Sequence, residues 1–247
     1  MAKPTYKEML SAGVHFGHMK KKWNPKMQNY IFMEHKGIHL IDLNRTGECI
    51  ESAANAARQI AKSGRKILFV ATKKQAREIV ATAAKEVNMP YVTERWLGGM
   101  MTNFSTIKKS IKKMNTIDKM LADGSLTSVT KKERLTLTRE RNKLEKVLGG
   151  IATINRLPAA LFIVDIHHEH IALSEAKKFG LRTLGMVDTN SDPTQIDFPI
   201  PSNDDAAKSI KLITNYMVEA IKDGLNARNT ESKAKAKKKE EAPVKAK

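Results

Sequence analysis

The chain has 247 residues with 44 Lys+Arg against 26 Asp+Glu, a formal net charge of +18 and a pI near 9.9. A hydrophobic content of 41% and a charged content of 28% are those of a globular chain with a real core, not of a disordered one. Cys49, the one cysteine, excludes a disulfide framework and a Cys-based zinc cluster and fits a reducing cytosol; no run approaches eighteen apolar residues and residues 1–16 lack signal-peptide character, so neither secretion nor a membrane span is expected.

Residues 1–36 read as a basic N-terminal arm. Short apolar runs then alternate with helical periodicity over 37–101 and again over 149–226, which predicts an α/β body with a mainly parallel sheet covered on both faces. Residues 37–43 and 66–71 read as strands. Between them Cys49, Ala53, Ala56, Ala57 and Ile60 recur at helical spacing over 46–62, with Gly64 past the end as a stop. That spacing puts Cys49 in the core and not in a nucleophile's place. Residues 73–87 read as the next helix. The alternation breaks over 102–148, where Ile107, Ile111, Met114, Ile117 and Leu121 form one stripe and Val129, Leu135, Leu144, Val147 and Leu148 a second, after Asp123-Gly124. Two helices joined by a turn, an antiparallel hairpin inserted in the body, are the natural reading. Strands at 160–165 and 184–187 flank a helix at 169–179. A last helix over 204–222 starts with Asn203 or Asp204 as its cap and an acidic pair favoured by the helix dipole. The lysine-rich segment 227–247, with Lys237-Lys238-Lys239, cannot bury apolar surface, and from Thr230 onward it is expected to be disordered.

The charge is unevenly placed. The arm, the hairpin and the tail are basic, whereas residues 157–227 hold ten carboxylates against six Lys and Arg. A chain basic only for solubility has no reason to turn acidic there. Basic segments that neutralise phosphates and release counterions give affinity for nucleic acid without sequence readout.

The α/β pattern invites a search for chemistry. No two glycines stand two apart, so GxGxxG is absent, and Gly180 and Gly185 have Walker spacing but are followed by Met186 and Val187. Thr72-Lys73-Lys74 after a strand lacks the glycines needed to fold a backbone around a pyrophosphate. His167, His168, Glu169 and His170 follow a strand without a metal-site spacing. Among Asp188, Asp192, Asp197, Asp204 and Asp205, the carboxylates Asp188, Asp204 and Asp205 fall at a strand end and a helix start. With His18 they make a Mg or Zn site conceivable, against the blander reading of turn and cap chemistry. Nothing in these residues demands an enzyme. A nucleotide-dependent α/β enzyme is the rival reading, because fold alone does not fix function.

Two stretches go beyond composition: Ala12-Gly13-Val14-His15-Phe16-Gly17-His18 followed by Trp23-Asn24-Pro25-Lys26-Met27, and Arg95-Trp96-Leu97-Gly98-Gly99-Met100-Met101-Thr102-Asn103. With 67–76, Asp188-Thr189-Asn190 and 200–205, they resemble, in order over about residues 4–225, the bacterial small-ribosomal-subunit protein two family. The resemblance implies a non-enzymatic ribosomal protein with a flavodoxin-like or Rossmann-like three-layer α/β domain and an inserted coiled-coil hairpin. It further implies a place on the solvent side of the 30S subunit near the head–body junction, bound to 16S ribosomal RNA. Such a protein helps anchor the large first small-subunit protein, as one component among others and not as a homo-oligomer, and requires no cofactor. A free RNA-binding regulator outside the ribosome is the further alternative. On the family motifs, Lys20, Lys21, Lys22, Trp23, Asn24 and Lys26 fall in the basic arm. There the cations meet phosphates, and Trp23 either stacks on RNA or packs on the body. Arg95 and Trp96 precede Gly98-Gly99, whose bare backbone permits close approach to RNA or makes a simple turn. Lys108, Lys109, Lys112 and Lys113 are the hairpin's phosphate contacts, and the acidic 157–227 region is the protein-facing side.

Overall fold

The computed structural model describes residues 3–123, 130–154 and 156–240, the last nine of these by backbone course only. Five strands form a parallel sheet: β4 (Ile67–Val70), β5 (Tyr91–Val92), β6 (Ala160–Val164), β7 (Arg182–Val187) and β8 (Phe198–Pro201), in the spatial order β5-β4-β6-β7-β8. This is the flavodoxin-like order. β4 and β6 are buried at every position, as expected where helices cover both faces and a strand needs no polar side.

Successive side chains point to opposite faces, so the sheet feeds two cores. Ile67, Phe69, Phe162 and Leu184 pack with Ile50, Ala53 and Ala57 of α2 (Leu43–Lys62), Val80 of α3 (Lys74–Glu86) and Ile213, Met217 and Ile221 of α7 (Ala207–Glu240). Leu68, Val70, Leu161 and Ile163 pack on the other side with Leu173 and Ala176 of α6 (His170–Lys178) and with the root of the hairpin. The hairpin is α4 (Phe104–Ala122) and α5 (Lys131–Leu148). Ile107, Ile111, Met114 and Ile117 are buried along α4, and the helices run back against each other through the ion pairs Lys113–Glu140 and Asp118–Arg141, the latter at 2.6 Å. Thr130 and Glu133 form a capping box that starts α5. Gly124 of the expected turn, and Val129, lie outside the described residues.

Four findings depart from the sequence reading. The run expected as the first strand of the parallel sheet is β3 (Ile38–Ile41), the centre of a separate antiparallel sheet between β1 (Phe16–Met19) and β2 (Ile31–His35). Lys36 and Gly37, at φ 51 and 77, close the β2–β3 hairpin in the left-handed backbone region its tight turn needs. Residues 3–36 are therefore packed on the body and not a projecting arm. Met9 of α1 (Tyr6–Ser11) is buried, as are Val14 and Met27 after it. β8 escapes a propensity reading because it contains Pro199 and Pro201, which an edge strand tolerates. The expected disorder from Thr230 gives way to helix, because α7 continues to Glu240. Lys, Ala and Glu are strong helix formers, and a helix already nucleated on the body extends at little cost. Residues 241–247 of the tail lie outside the described residues.

The end of the hairpin is seated through a glycine. A Cβ on Gly150 would stand 2.1 Å from the carbonyl oxygen of Tyr91 in β5. Gly150→Ala must push backbone from backbone, and thermal melting is expected to show a loss of roughly 1–3 kcal/mol.

Candidate functional site

In this strand order the chain leaves β4 and β6 in opposite directions, opening a crevice at their C-terminal ends. Lys73 follows β4 and projects its ammonium into that crevice, 2.8 Å from Asp165, 2.7 Å from Asp204 and 2.8 Å from Asp205. Asp165 follows β6 at φ 65, a strained angle for a side chain-bearing residue. Its other oxygen accepts the N–H groups of His167 and His168 at 2.9 and 3.0 Å. From the opposite side β1 lies over the end of β7: the His18 N–H donates to Thr189 Oγ1 at 2.8 Å. Gly17 makes that approach possible, since a Cβ there would meet Thr189 Cγ2 at 2.5 Å and the His39 carbonyl at 2.9 Å.

The outcome is a carboxylate cluster closed by an imidazole. His18 Nδ1 lies 3.0 Å from Asp188 and its Nε2 3.6 Å from Asp205, and His18, Asp188 and Asp204 each offer one ligand atom within 4.8 Å of the others. Asp204 is fully buried, and its Oδ2 has no hydrogen-bond partner. Burial, then the neighbouring Asp165 and Asp188 carboxylates, push Asp204 up to about 8. Asp188, accepting from the imidazole, raises His18 against its burial. Burial pulls the Lys73 ammonium down, but the carboxylates around it prevail and raise it. The expected set His18, Asp188, Asp204 and Asp205 is thus brought together. Asp192 and Asp197 are not: Asp192 pairs with Lys26 and Asp197 accepts from Thr183. The sequence reading weighed Lys73 only for phosphate and did not group it or Asp165 with the cluster, although each follows a buried strand at the same edge. Thr72 donates twice to buried Glu169, so the Thr72-Lys73-Lys74 turn faces carboxylates and not a phosphate. His167, His168 and His170 are exposed and join no ligand cluster among the described residues. α7 starts at Ala207, beyond both expected caps: Asn203 accepts from the N–H groups of Asp205 and Ala206 in the turn that leads into the helix, and Asp204 faces Lys73. Cys49 is half-buried, and burial pushes its thiol up.

The Arg95–Asn103 motif has a structural centre that sequence reasoning missed. Glu175 of α6 is 6% exposed and accepts five hydrogen bonds. Trp96 Nε1 and the Gly99 N–H reach one oxygen at 3.1 and 2.7 Å; the Met101 N–H, Thr102 N–H and Thr102 Oγ1 reach the other at 2.9, 3.1 and 3.2 Å. Trp96 is buried with its N–H committed, which removes it as an RNA contact. Gly99, at φ 91, makes the turn that aims its N–H at Glu175. Arg95 remains exposed.

The basic residues divide in the same way. Lys20, Lys21 and Lys22 are exposed on a short 3-10 turn, with Lys20 2.8 Å from Glu34. Trp23 packs its ring 5.1 Å from His39, which favours its reading as a body contact. Asn24 is a cap, its side chain accepting from Lys26 N and its N–H donating to the Thr189 carbonyl, and Lys26 is held by Asp192 at 2.7 Å. Those last two serve to dock the N-terminal segment. On α4, Lys108, Lys109, Lys112 and Lys113 are exposed in one i, i+4 band, with Lys108 over the Phe104 ring and Lys113 paired with Glu140.

Comparison with known proteins gives the family of the chain. Residues 9–224 match the family model described as Ribosomal protein S2. The chain is 59% identical over 238 residues to the small ribosomal subunit protein uS2 of Cytophaga hutchinsonii, covering 96% of this chain and 94% of that one. It is 58% identical over 238 residues to uS2 of Flavobacterium johnsoniae, with 96% and 93% covered, and 56% identical over 231 residues to uS2 of Porphyromonas gingivalis, with 94% and 82% covered.

Proposed function

The chain belongs to the ribosomal protein S2 family, and from that premise we propose that it binds 16S ribosomal RNA through its hairpin and the Lys20–Lys22 turn while its acidic crevice faces protein. As a member of that family it is a structural component of the small ribosomal subunit and not an enzyme. The observation that carries the division of labour is the separation of charge: a band of exposed lysines on α4 at one place, and a closed carboxylate cluster at the C-terminal edge of the sheet at another. RNA phosphates are repelled from the second and attracted to the first.

Beside the crevice, Phe16, Met19, Phe32 and Met33 are exposed on the antiparallel sheet, the kind of surface that a protein partner covers. The partner assigned to it is the large first small-subunit protein. The site in the ribosome is the solvent side of the head–body junction, in the cytoplasm, with one copy per subunit and no homo-oligomer. No helix among the described residues is long and apolar enough to cross a membrane.

The cluster itself suits a divalent cation. One imidazole nitrogen, two buried carboxylates and the half-exposed Asp205 make a mixed N/O donor set, which suits Zn better than Mg, since Mg prefers oxygen alone. The unpartnered Asp204 Oδ2 is the atom most in need of it.

Charge reversal tests the RNA side. The variant Lys108→Glu/Lys109→Glu/Lys112→Glu/Lys113→Glu is expected to rebind small subunits stripped of this protein at least tenfold more weakly at moderate salt. Its log–log salt dependence is expected to be shallower by about 3, since each lost phosphate contact removes roughly 0.7–0.9. An unchanged slope would assign the hairpin to protein packing.

A further inference from the structure

The N-terminal end of the parallel sheet, opposite the acidic crevice, holds a groove of about 540 Å³ that the hairpin and the N-terminal turn do not account for. Its walls are the segments that enter three neighbouring strands: Arg65 and Lys66 before β4, Asn88 and Pro90 before β5, and Thr153, Ile154, Arg156 and Leu157 before β6. Among the described lining residues, Arg65, Lys66 and Arg156 are cations and none is a carboxylate. A fourth cation closes the rim: the Arg228 guanidinium of α7 packs where a Gly64 Cβ would be, 2.5 Å from that position.

These four cations stand apart from the ones that the fold pairs internally. Lys20, Lys26, Lys62, Lys73, Arg77, Lys113, Arg141 and Lys222 each have a carboxylate within ion-pair distance. Among the described residues, no ion pair engages Arg65, Lys66, Arg156 or Arg228. The nearby acids that might have served are taken, Glu231 by Lys62 and Glu86 by Lys222. Four cations gathered at one groove without internal counter-charge repel one another, a cost that an external polyanion removes. The groove is also held in shape. Lys66 Nζ donates to the Asn88 carbonyl at 2.6 Å, and the Ala159 N–H donates to the Lys66 carbonyl at 2.8 Å, which ties the three entering segments together.

The chemistry of the lining selects the polyanion. Among the described lining residues there is no aromatic side chain to stack a base and no carboxylate to take ribose hydroxyls, so a free nucleotide or an unstacked base finds no specific partner there. Guanidinium groups with a lysine suit phosphodiester oxygens. The chain also enters the groove directly from the hairpin, since α5 ends at Leu148 and Thr153 lines the wall. We propose that this groove is a second phosphate-backbone contact for ribosomal RNA, which carries the RNA footprint from the hairpin root across the N-terminal end of the sheet. The proposal rests on the reading that the chain binds ribosomal RNA.

The test is salt-dependent rebinding of the full-length chain to small subunits stripped of it, comparing Arg65→Gln/Lys66→Gln/Arg156→Gln with the hairpin charge-reversal variant and the unaltered chain. The groove variant is expected to bind about 10- to 100-fold more weakly near 0.1 M salt, with a log–log slope shallower by about 2 to 3. Combining it with the hairpin variant should add the two slope changes. Lys66 has a structural bond, so if the triple variant melts early, Arg65→Gln/Arg156→Gln alters only exposed groups and should still lower the slope by about 1.5. An unchanged slope and affinity in a folded groove variant, while the hairpin variant loses both, would overturn this proposal and leave the RNA reading standing. Rebinding of the unaltered chain that is insensitive to salt would overturn both.

Discussion

Glu175→Gln is expected to destabilise the protein by about 3 kcal/mol in urea unfolding at neutral pH, a large effect for the exchange of one oxygen for one nitrogen. The carboxylate is an acceptor only, and it faces five donors. Whichever way the glutamine amide is turned, its NH2 meets two N–H groups, those of Trp96 and Gly99 or those of Met101 and Thr102. Each buried donor left without an acceptor costs about 1–3 kcal/mol. The pH dependence follows from the same contacts. Burial acts to raise Glu175, but the N–H groups of Met101, Thr102, Gly99 and Trp96 hold it below the usual carboxylate range. A group depressed in the folded state contributes its stability above the unfolded value, about 4.3 for Glu, and loses it as pH falls through the folded value. The gap between the native chain and Glu175→Gln should therefore be full at pH 7 and narrow below about pH 4. A gap that stays constant down to pH 3 would show that the charge of Glu175 is not its source. The loop that Glu175 holds leads into α4, so the variant should also loosen the root of the hairpin on which RNA binding is proposed to depend.

That contact shows where the sequence was readable and where it was not. Buried parallel strands declare themselves as unbroken apolar runs, and 66–71 and 160–165 locate β4 and β6 to within a residue at most at each end. The helices between them follow from periodicity alone. The antiparallel sheet was hidden because its turn is Lys36-Gly37 and not the usual Asn-Gly, and β8 because two prolines argue against a strand until it is known to be an edge. Glu175 did leave a mark: it is an acid beside Ala172, Leu173 and Ala176 on the buried face of α6, a position where a charge must have partners. The tryptophan and glycines of 95–103 are those partners, so residues that suggested a surface for RNA are largely an internal cradle for a carboxylate. For the acidic cluster, residue types and strand ends sufficed to group His18 with Asp188, Asp204 and Asp205 across more than 160 positions. Periodicity carried no sign that Lys73 would stand among them, since it reads as the start of a helix.

Lys73 is the cation already inside the proposed cation site, and its removal separates the two roles of the cluster. Lys73→Met leaves Asp165, Asp204 and Asp205 facing one another without their shared ammonium, and breaking such a buried network from one side costs about 3–5 kcal/mol. The lower end is expected here, because Asp205 is half-exposed and takes up water. In the presence of a chelator the variant should melt well below the native chain. Zn added at about 100 times its dissociation constant should restore about 2.7 kcal/mol, the mass-action gain at that concentration for a ligand that binds only the folded state. The native chain should gain less from the same Zn, since its ammonium competes for Asp204 and Asp205. His18→Ala in the Lys73→Met background removes the one nitrogen ligand and should cut the Zn-induced shift sharply, measured within each chain because the loss of the Asp188 partner also lowers the chelated melting temperature. If Zn shifts neither chain, the four carboxylates and Lys73 form a closed structural network, and the acidic edge meets its protein partner by charge and shape without a metal between them.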